Sequence, residues 1–239
     1  MKKEKSTSVF STSKTVLYAL YACSENENSR VSKIAIQKLL YLSVIFAPIK
    51  NIILDFIKYQ FQTNGPYSKE VQNAIDSLVS KGQVIIVNYA KSKRGTHIDY
   101  EISEGGKSLV RELIETEEEM ENFWWISSIC KLAIIYSKED YQTKKTGLDK
   151  IVDFVYQEPT FLKSKIGKKS EEDYKKGYRK LPIRFNLKKG TSNELISFSK
   201  QYLKRNNIKI DKTNEKWIAE LLLFNFFEFL YNKILLTAK

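Results

Sequence analysis

Apolar and polar positions along the chain fall into helical and alternating runs. After a polar N-terminal arm (residues 1–13), Val16, Leu17, Leu20 and Tyr21 recur at helical spacing within residues 14–24, a stretch without Gly or Pro. Polar residues 24–29 interrupt it. Ile36, Leu39, Leu40 and Val44, widened by Ile34, Tyr41 and Ile45, then predict a second, largely buried helix that Pro48 ends. Residues 52–62 alternate from Phe56 onward, with Ile57, Tyr59 and Phe61 against Lys58, Gln60 and Gln62, and predict a strand. Gly65-Pro66 turns the chain. Ser68 is placed to cap a third helix bearing Val71, Ile75, Leu78 and Val79 on one face, and Lys81-Gly82 stops it. Residues 84–89 and 98–102 flank a polar tip, residues 91–95, and read as a β-hairpin. Ser103 then caps a helix carrying Leu109, Val110, Leu113 and Ile114. Three helices followed by a hairpin with a basic tip make a winged helix over residues 14–115.

The remainder, 116–239, reads as a helical domain. Residues 120–137 are apolar nearly all round, as in a buried helix, and Glu117–Glu119 suit its positive N-terminal end. Ile151, Phe154 and Val155 mark another helix, which stops before Pro159. A short helix is expected over 195–203 and a long one, rich in Leu and Phe, over 217–236. Polar residues interrupt that last run too often for a membrane span. The fold class is therefore α+β, mainly α: an N-terminal winged helix with a β-hairpin wing, followed by a helical C-terminal half.

Composition narrows the chemistry. The 239 residues are 42% hydrophobic and 13% aromatic, which suits a packed core. The formal charge is +12, and residues 163–189 hold 11 Lys/Arg against three acids, so +8 of it is local. A basic balance favours anionic partners. The single His97 with Cys23 and Cys130 cannot assemble a multi-ligand zinc site, and both cysteines lie in apolar runs, as reduced core residues of a cytoplasmic protein do. No apolar signal-peptide region follows the N-terminus.

No constellation of an enzyme emerges. Gly106-Lys107-Ser108 has the ending of a phosphate-binding loop, but Glu101 stands where its first glycine belongs. No nucleophile pattern surrounds His97. Nucleic acid is the alternative partner. On the third helix, Lys69, Gln72 and Asn73 could meet phosphates and adenine edges, although Glu70 and Asp76 leave that helix without net charge. Lys91, Lys93, Arg94 and His97 on the wing are better placed for phosphates. In the basic segment, Lys168, Lys169, Lys175, Lys176, Arg179 and Lys180 are interleaved with Tyr174 and Tyr178, which suits either a solvated loop or a single-strand binder. Trp217, Leu221, Phe224 and Phe227 are the candidate partner-binding residues of the last helix, the other reading being an internal core.

The segments KIAIQKLLYLS (33–43) and FIKYQFQTNGPYSKEV (56–71), with a helix ending LVSKG (78–82), resemble the Panacea, or SocA-like, group and its YwgA-like phage-associated relatives. IVDFVYQEPTF (151–161) is similar to a downstream element of the same relatives. The resemblance implies a non-enzymatic adaptor or antitoxin of a bacterial anti-phage defence or toxin–antitoxin module. It would need no cofactor and no membrane, would bind a toxin, nuclease effector or SMC-like ATPase in a multi-subunit complex, and could also bind DNA. The alternative is a DNA-binding transcriptional regulator. If the basic segment binds nucleic acid, binding at low salt is lost when Lys168, Lys169, Lys175 and Lys176 are changed to Glu, while the fold is kept. Failure of the unmodified chain to bind DNA or RNA at low salt in a gel-shift assay would remove that role.

Overall fold

Local signals set most of the element boundaries. The structure, a computed structural model, describes residues 2–26, 28–47, 54, 57–62, 65–92, 95–138, 148, 151–157, 181–182, 201, 203–207, 209 and 214–237. Its elements are α1 (Lys2–Glu25), β1 (Val31–Ser32), α2 (Lys33–Phe46), β2 (Gln60–Gln62), β3 (Gly65–Tyr67), α3 (Lys69–Ser80), β4 (Val84–Ser92), β5 (Gly95–Ile102), α4 (Glu104–Leu113), α5 (Glu117–Lys138), α6 (Ile151–Gln157), β6 (Leu181–Pro182) and a last helix, α7 (Glu215–Thr237). The architecture is α+β and mainly helical.

Three helices begin at serine caps. The side chains of Ser32, Ser68 and Ser103 accept from the backbone N–H groups of Ala35, Val71 and Gly106, each three residues on. At the other end of α3 the Gly82 backbone takes φ +69°, and the Gln83 N–H reaches back to the Leu78 carbonyl at 3.0 Å, closing the helix as a left-handed C-terminal glycine does. The apolar face of α3 is buried at Val71, Ala74, Ile75 and Leu78.

The described residues form two small antiparallel sheets, in orders β1-β5-β4 and β3-β2-β6. In the first, β4 and β5 form the expected hairpin, with a bulge between Ile86 and Asn88. In the second, residues 60–62 of the strand expected over 52–62 are paired, whereas 54 and 57–59, the other described residues of that stretch, are in no strand. Ile57 and Tyr59 are buried and Lys58 and Gln60 exposed, so the alternation is real. It reports burial, and a strand also needs a neighbour. A second departure is the N-terminal arm, whose backbone is helical from Lys2 as a continuation of α1.

One apolar core runs through both halves of the chain. α1 packs on α3 and α5, while α2 packs on α5 and α6. Trp125 of α5 is fully buried and donates its indole N–H to the Ser43 carbonyl at 3.1 Å. Aromatic rings join the later helices to α2: Phe46 meets Phe226 edge-on at 4.7 Å between centroids, and Phe227 meets both Tyr136 (6.0 Å) and Phe154 (5.7 Å). Lys14 and the Tyr18 hydroxyl both bond the Glu119 carboxylate, fastening α1 to the start of α5. Cys23 and Cys130 are buried free thiols, and the hydrogen bond between them, with burial, pushes the Cys130 thiol well up. Among the described residues no helix is long and apolar enough to cross a membrane. The short helix expected over 195–203 lies largely outside the described residues.

Adjacent glycines in α4 differ in their surroundings. A Cβ on Gly106 would come 2.3 Å from the Gln83 carbonyl oxygen, whereas one on Gly105 would meet nothing nearer than Ser103 Oγ at 3.7 Å. Gly106→Ala is expected to destabilise by about 1–3 kcal/mol through overpacking. Gly105→Ala should stabilise by up to about 1 kcal/mol through helix propensity. Urea unfolding of both variants measures the pair, and equal effects would refute the close approach.

Candidate functional site

Two polar residues break the apolar run of α2 and organise a buried hydrogen-bonded clasp. Gln37 and Lys38 are both buried, although every neighbour from Ala35 to Phe46 is buried as well. Each therefore needs an internal partner. The Gln37 carboxamide closes a double bridge on one residue: its Nε2 donates to the Ser68 carbonyl at 3.0 Å, and its Oε1 accepts from the Ser68 N–H at 2.8 Å. Lys38 Nζ donates to the Pro66 carbonyl at 2.8 Å. The Tyr59 hydroxyl donates to the Gln37 carbonyl at 3.4 Å, and its ring packs edge-on against Tyr41.

Gly65 is required where it stands. Its φ is +83°, and a Cβ there would lie 2.7 Å from Tyr156 Cε1 and 3.1 Å from Lys38 Nζ. The Gly-Pro-Tyr-Ser turn is thus pressed between α2 and α6. Burial holds the Lys38 ammonium down, to about 7. Burial, and then the charge of Glu70, push the Tyr59 phenol well above its ordinary value.

Around this clasp opens a cleft of about 650 Å³, lined by residues of α2, β2, β3, α3 and Thr96 of the wing. Lys33, Lys38 and Lys69 supply its basic groups, and Gln37, Gln60, Gln72 and Asn73 its carboxamides. Of the residues expected to contact nucleic acid, Lys69, Gln72 and Asn73 line this cleft together. Gln72 is half-buried; its Nε2 donates to Asp76 Oδ1 at 2.7 Å, while its Oε1 is buried with no hydrogen-bond partner among the described residues.

No protein-family model matches the chain, and no curated protein matches it either.

Of the other expected residues, those that are described do not line the cleft. Lys91 is exposed on β4; His97 is exposed on β5, with Nε2 2.9 Å from Asp99 Oδ1. Lys93 and Arg94 of the wing tip, and Lys168, Lys169, Lys175, Lys176, Arg179 and Lys180, lie outside the described residues. Of the last-helix set, Trp217 (58% exposed) and Phe224 (44%) face outward and Leu221 is half-covered. Phe227 is 0% exposed and belongs to the internal core, so it is corrected out of the partner-binding set. Sequence reasoning missed Lys33, Lys38 and Gln60 as site residues. The available signal was a Gln-Lys pair inside an otherwise apolar buried helix.

The clasp has a pH signature. Folded Lys38 releases its proton near pH 7, while in the unfolded chain it holds it to about 10.5. Between those values the unfolded state binds more protons, so Lys38 makes stability rise with pH, by up to about 1.4 kcal/mol per unit. Below pH 7 its full penalty is present. The difference in unfolding free energy between wild type and Lys38→Met is therefore expected to shift in favour of wild type from about pH 7.5 to 9.5. Chemical denaturation at several pH values checks this, and a difference that stays constant would contradict it.

Proposed function

We propose that the chain is a non-enzymatic winged-helix adaptor subunit, of the Panacea kind, in a bacterial anti-phage defence or toxin–antitoxin module. It binds a protein partner, namely a toxin, nuclease effector or SMC-like ATPase, through its helical half. Nucleic acid is a second partner at its basic surfaces. The winged-helix reading draws support from the order of α1, β1, α2, α3, β4 and β5 and from the sheet order β1-β5-β4. The reading as an adaptor draws on the exposed aromatic face of α7. Trp217, Leu221 and Phe224 fall at i, i+4 and i+7, on one side of the helix, where large rings left in water favour a protein contact. The edge strand β4 adds Ile85, Ile86 and Tyr89, all exposed.

A DNA-reading regulator is less well supported. A recognition helix presents its N-terminal residues to base edges in the major groove. Here β2 and β3 are inserted between α2 and α3, and the residues that begin α3 line a cleft shared with that insertion. Glu70 and Asp76 also leave α3 and its Lys81 cap without net charge, a poor electrostatic approach to a groove.

Co-expression with the neighbouring genes of its operon is expected to give a stoichiometric complex with a toxin, nuclease or ATPase. Trp217→Ala/Phe224→Ala should weaken that complex by about 30-fold, the effect of losing a contact worth about 2 kcal/mol, with little change in Tm. An isolated homodimer that footprints its own promoter would overturn the adaptor reading in favour of the regulator.

A further inference from the structure

The cleft beside the Gln37–Ser68 clasp has the size of a small-molecule site, about 650 Å³. Two helices begin at it. Lys33 is the first residue of α2 after the Ser32 cap, Lys69 the first of α3 after the Ser68 cap, and both line the cavity. These helices have 14 and 12 residues, long enough for each to bring a positive dipole end to the same cavity. Lys38 adds a third amine from within α2.

No carboxylate is present among the described residues that line the cavity. The two acids of α3 stand behind the lining: Glu70 accepts from the Ser68 hydroxyl at 2.9 Å, and Asp76 accepts from the lining residue Gln72. Lysines are thus the only charged side chains among the described lining residues. The remaining wall is of a second kind. Gln60 and Asn73 offer donor and acceptor groups together, and Ile34 and Tyr67 offer apolar surface. Ile34 is among the large apolar side chains that stay exposed.

We infer that this cleft binds a free nucleoside monophosphate. Lys33, Lys69 and the two helix starts take the phosphate, Ile34 and Tyr67 face the base, and the Gln60 and Asn73 carboxamides meet its polar edge. A cleft of this volume has the size of a single nucleotide. Phosphate alone would use only the basic side of the cleft, and a nucleoside only the other.

The inference does not depend on any protein partner, so it is tested on the isolated full chain. Isothermal titration with each of the four common nucleoside 5′-monophosphates, the matching nucleosides and inorganic phosphate supplies the comparison. At least one monophosphate is expected to bind, with its nucleoside weaker by about tenfold or more for want of the charge-assisted phosphate contacts, and inorganic phosphate weaker by about tenfold or more for want of the base contacts. Lys33→Ala/Lys69→Ala removes two side chains that are not buried, leaves the clasp in place, and should cut the affinity by about tenfold or more. Lys91→Ala on the wing should leave it unchanged. The inference fails if no monophosphate binds at millimolar concentration, if inorganic phosphate binds as tightly as the nucleotide, or if the double variant retains full affinity.

Discussion

The backbone of Ser68 is buried, and every polar group on it is satisfied through one small set of partners. Its N–H and carbonyl both bond the Gln37 carboxamide, its hydroxyl accepts from Val71 N–H, and the same hydroxyl donates to Glu70. A peptide group taken out of water without such partners costs about 1–3 kcal/mol for each unmet bond. The double bridge therefore ties three things to one another. It fixes where α3 starts, how the β2–β3 insertion lies on α2, and the depth of the cleft between them. Lys38, one residue further along α2, secures the preceding turn through the Pro66 carbonyl.

The second half of the chain is part of this arrangement. Tyr156 of α6 closes over Gly65, and α6 in turn is held by Phe154 against Phe227 and Tyr136. The turn that shapes the cleft is thus backed by the aromatic core shared by α5, α6 and α7. Phe46, at the end of α2, joins that core through Phe226. A basic cleft and an outward aromatic helix face are consequently features of one packed body, the former on the α2–α3 side and the latter on the outer surface of α7.

Much of the local structure was legible because its causes are local. Serine caps at 68 and 103, the Lys81-Gly82 stop and the hairpin flanking a basic tip depend on residues within a few positions of one another. Reading failed where an outcome depended on distant neighbours. The alternation of Ile57 and Tyr59 identified a buried side, yet among the described residues pairing begins at Gln60, where β3 and β6 lie alongside. The polar arm carries no apolar face to announce a helix, and its backbone nevertheless continues α1. Lys69, Gln72 and Asn73 were recognisable as a polar face of one helix, whereas Lys33 and Gln60 come from other elements and join them only on folding.

By itself the sequence determined the α+β class, the caps, the hairpin and the concentration of apolar residues in the last helix, because periodicity and capping chemistry act over one or two turns. Tertiary structure alone decided which of those apolar residues meet water. On α7, Phe224 and Phe227 are three residues apart and chemically identical, yet one is exposed and the other fully enclosed by α5 and α6. The same holds for the buried Gln-Lys pair of α2. Its chemistry can be read in the chain, but only the approach of a turn some thirty residues away determines that it forms a clasp, since a buried polar group is stable only where folding brings its partners to it.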